Sequence, residues 1–289
     1  MYFSGVYTAL VTPFAMDGSV DFEKLAELVE FNLAGGVAGL VPVGTTGESP
    51  TLRTDEHLQV IKAVVEAAAG RCKIVAGTGA NSTAEAVELT EAAKAFGIDG
   101  TLQVTPYYNK PNNSGLIQHF SAVADLGIPV VLYNVPGRSA REIPLEVVAE
   151  LAKHEHIVSI KEAAGSVQRV TDIKKLCDIE VLSGDDSLAL PMIKAGALGV
   201  ISVASNLIPA EVSALVAAAL DGNYDEAQAL HDKFAKTFDD LFIDTNPIPI
   251  KAAMAMKGLI NEVYRLPMCS TTDENKAALR ATLEHAGIL

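Results

Sequence analysis

Short apolar runs alternate with longer amphipathic stretches along the whole chain. The short runs, such as KIVAG, VVLYN and IVSIK, are rich in β-branched residues and are bounded by turn-forming or polar residues. Runs of this length and composition predict buried strands. Eight of them occur, and they end at Thr12, Val43, Gly77, Val104, Asn134, Lys161, Ser183 and Ser202.

The amphipathic stretches predict helices, and several carry residues that favour a helix start. Asp21 precedes FEKLAELVEFNLA and Thr54 precedes DEHLQVIKAVVEAAA, so each is a predicted N-cap. Ser82 and Glu85 have the spacing of a capping box at the start of the next helix. Each of the three stretches stops at a glycine, which is typical of a helix C-terminus.

The alternation of strands and helices predicts an α/β fold with a parallel sheet. The strands are almost continuously apolar, which indicates a sheet that is covered on both faces. Successive run ends lie between 19 residues (Ser183 to Ser202) and 34 residues (Val43 to Gly77) apart, which is enough for one crossover helix each. Eight regular units predict a closed (β/α)8 TIM barrel, and a doubly wound open sheet is the alternative.

Only helical patterns follow the eighth strand. The segments NLIPAEVSALVAAAL, YDEAQALHDKFAKTFDDLF, PIPIKAAMAMKGL and TDENKAALRATLEHA predict helices. The first of them closes the barrel, and the others form a helical C-terminal extension. The predicted domains are therefore a barrel over residues 1–222 and a C-terminal helical domain over residues 223–289.

Composition and charge narrow the classes of partner. The 289 residues carry a formal net charge of -14, and an acidic surface repels phosphates, so we expect no nucleic-acid partner. No apolar run reaches the ~18 residues of a membrane span, so we expect no membrane partner. The three cysteines are far apart and the first basic residue is Lys24, which together favour a cytoplasmic location over secretion.

Lys161 is the sharpest catalytic candidate, because it ends the sixth buried run. Barrel enzymes place catalytic groups at the carboxyl ends of strands, whereas Lys73 opens a strand and belongs at the opposite face. Burial of a lysine favours the neutral amine, the form that attacks a carbonyl carbon to make a Schiff base. On spacing alone an alternative remains, in which Lys161 reaches solvent or pairs with Glu162.

Two further strand ends carry groups suited to anions. Thr45 and Thr46, in the turn at 44–48, offer hydroxyl and backbone N–H groups to a carboxylate or phosphate. Arg138 follows the fifth strand, and its guanidinium has the geometry to hold a carboxylate bidentately. A plain strand-to-helix turn and a surface arginine are the respective alternatives.

Three tyrosines, Tyr107, Tyr108 and Tyr133, lie near strand ends and are candidates for proton transfer. Buried tyrosines are more often packing residues, so packing is the alternative for each. The two histidines that are close in sequence, His154 and His156, precede the sixth strand and lie at the wrong face of the barrel, so no metal is expected. No dinucleotide-binding glycine motif follows a strand, and we expect no cofactor.

Six segments are recognisable together: GTTGE at 44–48, TPYYNKP at 105–111, YNVPGR at 133–138, IKEAAG at 160–165, SGDD at 183–186 and GVIS at 199–202. They resemble the dihydrodipicolinate synthase family, also called the 4-hydroxy-tetrahydrodipicolinate synthases. The resemblance runs from GVYTALVTPF through NPIPIKAAM to RLPM and covers essentially the whole chain. The GTTGE segment and the lysine are shared more widely, with N-acetylneuraminate lyases and keto-deoxy sugar-acid aldolases.

The resemblance implies a lyase reaction in diaminopimelate and lysine biosynthesis. Pyruvate would form a Schiff base with Lys161, and the derived enamine would attack the aldehyde of L-aspartate 4-semialdehyde before cyclisation. The family's proton relay of one threonine and two tyrosines matches Thr45, Tyr108 and Tyr133. In the family's homotetramer, Tyr108 would reach in from a neighbouring subunit.

The resemblance also implies which residues bind the substrates. Thr46 would hold the pyruvate carboxylate, and Arg138 would hold the carboxylate of the semialdehyde. The backbone around Gly184 and Ile201 would line the pocket. Ser139-Ala140 stands where the family usually has Thr-Gly, which bears on how the arginine is held.

An inhibitory L-lysine site is a further implication of the resemblance. The residues that match it are Ser49, His57, Asn81, Glu85 and Tyr107. Pro50 and Thr54 depart from the lysine-sensitive form of that site. The sequence therefore predicts the site and leaves the strength of inhibition open.

Two other functions fit parts of the sequence. A related lyase or aldolase would act on a sugar acid or a 4-hydroxy-2-keto acid, but such enzymes need hydroxyl-binding groups and typically lack an arginine where Arg138 stands. A barrel that binds keto acids without catalysis is the second alternative. The presence of Lys161, Thr45, Tyr108 and Tyr133 disfavours it.

Overall fold

The computed structural model describes residues 1–289, and at its centre lies a closed barrel of parallel strands in the order β1 to β8. The barrel closes where Gly5 of the first strand pairs with Gly199 of the last. The strands are β1 (Gly5–Ala9), β2 (Gly39–Val41), β3 (Lys73–Gly77), β4 (Gly100–Val104), β5 (Val130–Asn134), β6 (Ile157–Glu162), β7 (Glu180–Ser183) and β8 (Gly199–Ser202). The predicted TIM barrel is confirmed, and the open sheet is excluded because β1 pairs with β8.

Helices surround the barrel and continue beyond it. They are α1 (Phe22–Ala34), α2 (Thr54–Ala68), α3 (Thr83–Lys94), α4 (Asn113–Ala124), α5 (Pro136–Ser139), α6 (Leu145–Leu151), α7 (Val167–Leu176), α8 (Ala189–Lys194), α9 (Pro209–Leu220), α10 (Tyr224–Asp240), α11 (Ile248–Met256) and α12 (Asp273–His285). Each predicted helix after the eighth strand is present, as α9 to α12.

Two strands are shorter than the sequence predicts. β1 ends at Ala9 rather than Thr12, and β2 ends at Val41 rather than Val43. Val43 has a φ of 51°, so the backbone leaves the extended conformation before the apolar run is complete. Both apolar runs extend beyond their strands, and the residues there, Val11 after β1 and Val43 after β2, are also buried.

One of the three predicted helix starts is confirmed in full. The Asp21 carboxylate accepts a hydrogen bond from the Lys24 backbone N–H at 3.0 Å. The prediction for Thr54 is wrong by one residue, because Glu56 accepts from the backbone N–H of Arg53 and the helix therefore begins at Thr54 itself.

The predicted capping box at α3 is also wrong. Ser82 occupies the N-cap position, but its side chain makes no capping hydrogen bond, and Glu85 is exposed. The preceding residue, Asn81, fixes the entry to the helix instead. Its amide donates to the Tyr107 carbonyl at 3.2 Å, and its own carbonyl accepts from the Asn109 amide at 2.8 Å.

Side chains alternate between two apolar layers along the strands. Inward-facing residues form a cluster of 12 inside the barrel, including Tyr7, Leu102, Tyr133 and Ile201. Outward-facing residues pack against the helices in a larger cluster of 63. Because the interior is filled with apolar side chains, the polar candidate residues gather above it, at the carboxyl ends of the strands.

The C-terminal helices pack onto the barrel rather than standing apart from it. α10 lies against α9, and α12 contacts α10 and α11. Phe234, Phe238, Leu279 and Leu283 from this region belong to the same apolar cluster as the barrel helices. The division after residue 222 stays a prediction. No helix in the chain combines the length and the apolar character needed to cross a bilayer.

Candidate active site

Lys161 lies near the carboxyl end of β6 with its side chain inside the barrel. It pairs in register with Tyr133 of β5, and its Nζ atom lies 4.4 Å from the centroid of the Tyr133 ring. Only 6% of Lys161 is exposed. The amine is therefore enclosed at the top of the barrel interior, next to a phenol.

Glu162 is not the partner of Lys161. As the next residue of the strand it faces the opposite side, where the Asn134 amide donates to both carboxylate oxygens at 2.9 and 3.0 Å. Arg169 of α7 completes this buried pair, with Nε 2.9 Å from the carboxylate. The interpretation of Lys161 as a lysine that pairs with Glu162 or reaches solvent is therefore wrong.

A cavity lies at the carboxyl ends of the strands and has a deeper and an outer part. Residues around the deeper part include Thr45, Thr46, Tyr133, Arg138, Lys161 and Gly184. Residues around the outer part include Thr45, Ser49, Tyr107, Tyr133 and Arg138. Most of the predicted site residues are thus brought together from the ends of β2, β4, β5, β6 and β7.

The turn after β2 supplies a hydroxyl with a fixed orientation. Thr46 is buried, and its Oγ1 atom accepts a hydrogen bond of 3.0 Å from the Asn246 amide. Because the oxygen accepts from Asn246, its own hydrogen is free to donate to a ligand. The turn is therefore suited to a carboxylate at this position.

Arg138 belongs to the short helix α5 and is exposed at the rim of the cavity. Its guanidinium donates to the backbone carbonyl of Asn246 at 3.0 Å, which leaves other N–H groups for a ligand. Ser139 donates to the Val135 and Arg141 carbonyls, and Ala140 takes a left-handed φ of 54°. The departure from the family's Thr-Gly thus keeps the arginine at the cavity but places an alanine in a conformation that favours glycine.

The two predicted backbone positions differ in where they lie. A Cβ atom on Gly184 would lie 2.5 Å from the Ala163 Cβ and 3.1 Å from the Lys161 Cε, so the glycine makes room for the lysine. Ile201 is buried, and its side chain packs in the apolar cluster inside the barrel. It is not among the residues that line either part of the cavity.

Tyr108 is the one predicted catalytic residue that does not line the cavity of its own chain. It is 91% exposed and has a φ of 73°, whereas Tyr107 lines the outer part of the cavity and is 38% exposed. An exposed phenol held in a sparsely populated conformation has no packing role within this chain.

Two of the five residues predicted for lysine binding lie at the outer part of the cavity. Ser49 and Tyr107 line it. The His57 Nε2 atom lies 2.9 Å from the Gly77 carbonyl oxygen, and burial lowers the pKa of this histidine. Burial, reinforced by the negative charge of Glu85, raises the pKa of the Tyr107 phenol.

A model of the Dihydrodipicolinate synthetase family matches residues 2–286. The chain belongs to this family. The 4-hydroxy-tetrahydrodipicolinate synthase of Geobacter sulfurreducens is 49% identical over 285 residues, which is 98% of each chain.

Solved structures agree with this assignment to the dihydrodipicolinate synthetase family. The chloride-inhibited dihydrodipicolinate synthase of Acinetobacter baumannii, complexed with pyruvate, matches with a TM-score of 0.97 at 44% identity over 99% of each chain. The enzyme of Cyanidioschyzon merolae with lysine bound matches with a TM-score of 0.97 at 39% identity, over 100% of this chain and 99% of the other.

The sequence reading of this family member missed a second buried lysine. Lys251 of α11 is completely buried, and its Nζ atom lies 2.5 Å from a carboxylate oxygen of Glu48. Burial lowers the pKa of Lys251, and the charge of Glu48 opposes that shift. Burial by itself therefore does not mark a reactive lysine. Lys161 differs because it is buried without such a partner.

Asn246 and Asp185 were also missed, although both lie in segments that carried the family resemblance. Both line the deeper part of the cavity. The segments SGDD and NPIPIKAAM were the available signal, but neither indicates which side chain faces the lysine. No group of three or more His, Cys, Asp and Glu side chains is arranged to hold a metal ion.

Proposed function

We propose that this chain condenses pyruvate with L-aspartate 4-semialdehyde, as a 4-hydroxy-tetrahydrodipicolinate synthase of the diaminopimelate and lysine pathway. The observation that carries the proposal is the enclosed position of Lys161, which forms no salt bridge and lies beside Tyr133 at the mouth of the barrel. A family match over almost the full length supports the same reaction.

The first half of the reaction uses the deeper part of the cavity. The hydroxyl of Thr46 binds the carboxylate of pyruvate, and the Lys161 amine attacks the ketone carbon to give, after loss of water, a Schiff base. Dehydration and enamine formation require proton transfer, which the hydroxyls of Thr45 and Tyr133 provide. Tyr108 of a neighbouring subunit completes this relay in a homotetramer.

The second half joins the enamine to the aldehyde. Arg138 binds the carboxylate of the semialdehyde, and this fixes the aldehyde carbon near the nucleophilic carbon of the enamine. Backbone groups around Gly184, above the apolar cluster that contains Ile201, shape the cavity. The chain's three free cysteines favour a reducing compartment, and we place the reaction in the cytoplasm.

Borohydride trapping tests the covalent step directly. Incubation with pyruvate and borohydride is expected to add one reduced pyruvate to the peptide that contains Lys161, as measured by mass mapping. Lys161→Ala removes the amine and is expected to abolish both trapping and turnover of L-aspartate 4-semialdehyde. Lys73→Ala, at the opposite end of a strand, is the matched control and retains both.

Two results would contradict the proposal. A Lys161→Ala variant that still condensed the substrates at the normal rate would remove the Schiff base from the mechanism. Normal trapping with turnover of N-acetylneuraminate, and none of L-aspartate 4-semialdehyde, would favour a sugar-acid lyase.

We further propose that L-lysine binds at Ser49, His57, Asn81, Glu85 and Tyr107 and inhibits the enzyme. The contact of Asn81 with the Tyr107 carbonyl and the position of Ser49 and Tyr107 at the outer cavity support this site. Saturating lysine is expected to stabilise the fold by about 1–3 kcal/mol and to lower activity. Asn81→Ala should weaken both effects. Unchanged melting temperature and activity at millimolar lysine would remove the site.

A further inference from the structure

Two hydrogen-bond acceptors in the Lys161 cavity have no donor within the chain. One is the carboxylate of Asp185, which directly follows Gly184 at the end of β7. The other is the side-chain oxygen of Asn246. Both residues line the same deeper part of the cavity as Lys161 and Arg138.

Asp185 differs sharply from its neighbour Asp186. The Asp186 carboxylate accepts from the Ser202 hydroxyl and from the backbone N–H groups of Val203 and Ala204 at 2.9 Å. The hydrogen bonds of Asp185 instead run through its backbone, between its N–H and carbonyl groups and the Ser183 hydroxyl. The Asp186 side chain therefore stabilises the ends of the strands, whereas the Asp185 side chain makes no hydrogen bond with the rest of the chain.

Asp185 is partly buried at the end of β7. Burial raises the pKa of the Asp185 carboxyl, and the positive charge of Lys161 only partly opposes the shift. Schiff-base formation bonds the Lys161 nitrogen to the keto acid. Lys161 then no longer offers a free ammonium group to Asp185. A partly buried carboxylate that no group of the chain contacts is open to a ligand, and such a group is more typical of a binding site than of packing.

The side chain of Asn246 also has an acceptor without a donor, and Asn246 is in direct contact with other residues of the site. Its amide nitrogen donates to Thr46 at 3.0 Å, and its backbone carbonyl accepts from Arg138 at 3.0 Å. Both contacts fix its position, but neither uses the side-chain oxygen, which is buried without a partner. The oxygen is thus held in place beside the groups proposed to bind the two substrate carboxylates.

The second substrate supplies the missing donor. L-Aspartate 4-semialdehyde carries an α-ammonium group as well as a carboxylate, and Arg138 accounts only for the carboxylate. An ammonium group has three N–H donors and favours charged or carbonyl oxygens. We propose that Asp185 and the side-chain oxygen of Asn246 form an ammonium subsite, which selects an α-amino aldehyde as the second substrate. This inference rests on the proposed function and extends it to substrate specificity.

A comparison of two aldehydes in two variants tests the subsite. 4-Oxobutanoate is the same aldehyde without the ammonium group, and Asp185→Asn removes the charge without changing the shape of the side chain. Asp178→Asn is the matched control, since Asp178 is exposed just before β7, at the opposite end of the same strand.

For Asp185→Asn, kcat/KM for L-aspartate 4-semialdehyde is expected to fall about 100-fold, the size of a lost charged hydrogen bond. Inhibition of the pyruvate-loaded enzyme by 4-oxobutanoate should change by less than about 3-fold, because that ligand has no ammonium group to bind the Asp185 carboxylate. The rate of borohydride trapping with pyruvate should be unchanged. Asp178→Asn should match the unmodified protein throughout.

Three outcomes separate the possible failures. Equal losses with both aldehydes would show that Asp185 does not bind the ammonium group and would overturn the subsite. Slower trapping in Asp185→Asn would assign the carboxylate to Lys161 as a positioning residue and would also overturn it. An unmodified protein that traps pyruvate but does not turn over L-aspartate 4-semialdehyde would instead overturn the proposed second substrate.

The unmodified protein also tests the subsite if the Asp185→Asn variant folds poorly. An unmodified protein with no preference for the amino aldehyde over 4-oxobutanoate would refute the subsite.

Discussion

Gly184 shows how closely the cavity is packed around Lys161. The residue directly follows β7, and a side chain there would collide with Ala163 and press on the Lys161 Cε atom. The collision with Ala163, at 2.5 Å between Cβ atoms, leaves little freedom for adjustment. A small residue at this position therefore keeps the lysine aligned with Tyr133.

Gly184→Ala is expected to lower kcat about 100-fold, because displacement of a reacting group by about 1 Å has an effect of this size. Borohydride trapping with pyruvate should slow in parallel, since the lysine itself is displaced. Gly137→Ala is the control, because a Cβ there meets nothing within 4 Å. Full activity in Gly184→Ala would mean that the lysine is free to move away from the added methyl group.

The buried ion pair between α11 and the turn after β2 connects two distant elements. Lys251 also donates to the Thr12 carbonyl at 3.3 Å, and its Nζ atom lies 4.2 Å from the centroid of the Phe14 ring. Glu48 in turn accepts from the backbone N–H of Arg265 at 3.2 Å. The C-terminal extension therefore holds the end of the turn that carries Thr45 and Thr46.

Lys251→Met is expected to destabilise the fold by about 3–5 kcal/mol, because it leaves the Glu48 carboxylate buried and unpaired. Chemical denaturation measures this loss. Adding Glu48→Gln to the same chain should recover part of it, since no buried charge then remains. Lys257→Met, an exposed lysine just after the same helix, should cost less than about 1 kcal/mol. Equal effects of the two lysine variants would refute a special role for the pair.

The helix starts show where local reasoning holds and where it does not. Asp21 caps α1 because the capping bond joins residues three apart and needs nothing from the rest of the chain. The box at Ser82 fails because contacts with Tyr107 and Asn109, from the loop after β4, set the entry to α3. Short-range spacing predicts a cap only where no long-range contact competes for the same segment.

At the scale of the whole molecule, the exposed Tyr108 is the residue that the proposed relay takes from a second subunit. The phenol is exposed and does not line the cavity of its own chain, although it matches one member of the family's proton relay. In a two-fold symmetric pair the same surface of each subunit lies against its partner, so one contact would serve both active sites.

Subunit mixing tests this arrangement. Tyr108→Phe and Lys161→Ala are each expected to lose at least about 100-fold in kcat. Mixed assemblies should regain activity, because a Lys161→Ala subunit still donates its Tyr108 to the intact lysine of its partner. Mixing Lys161→Ala with Tyr133→Phe should regain nothing, since Tyr133 serves the lysine of its own chain. Equal recovery in both mixtures would contradict the shared site.

The sequence by itself determined the barrel, its order of elements and the position of Lys161 at a strand end. These features depend on the periodicity of buried residues and on residues that are close in the chain, and a local sequence pattern shows both. The candidates Thr45, Thr46, Tyr133, Arg138 and Gly184 followed from the same strand ends and from the family resemblance.

Only the tertiary structure decided what each of these groups faces. Glu162 turned out to pair with Arg169 rather than with Lys161 because adjacent strand residues point to opposite sides. The contacts of Asn246 with Thr46 and of Lys251 with Glu48 join residues 200 and 203 positions apart. No local pattern specifies such pairs, because they form only when the C-terminal helices close over the barrel and bury the polar groups between them.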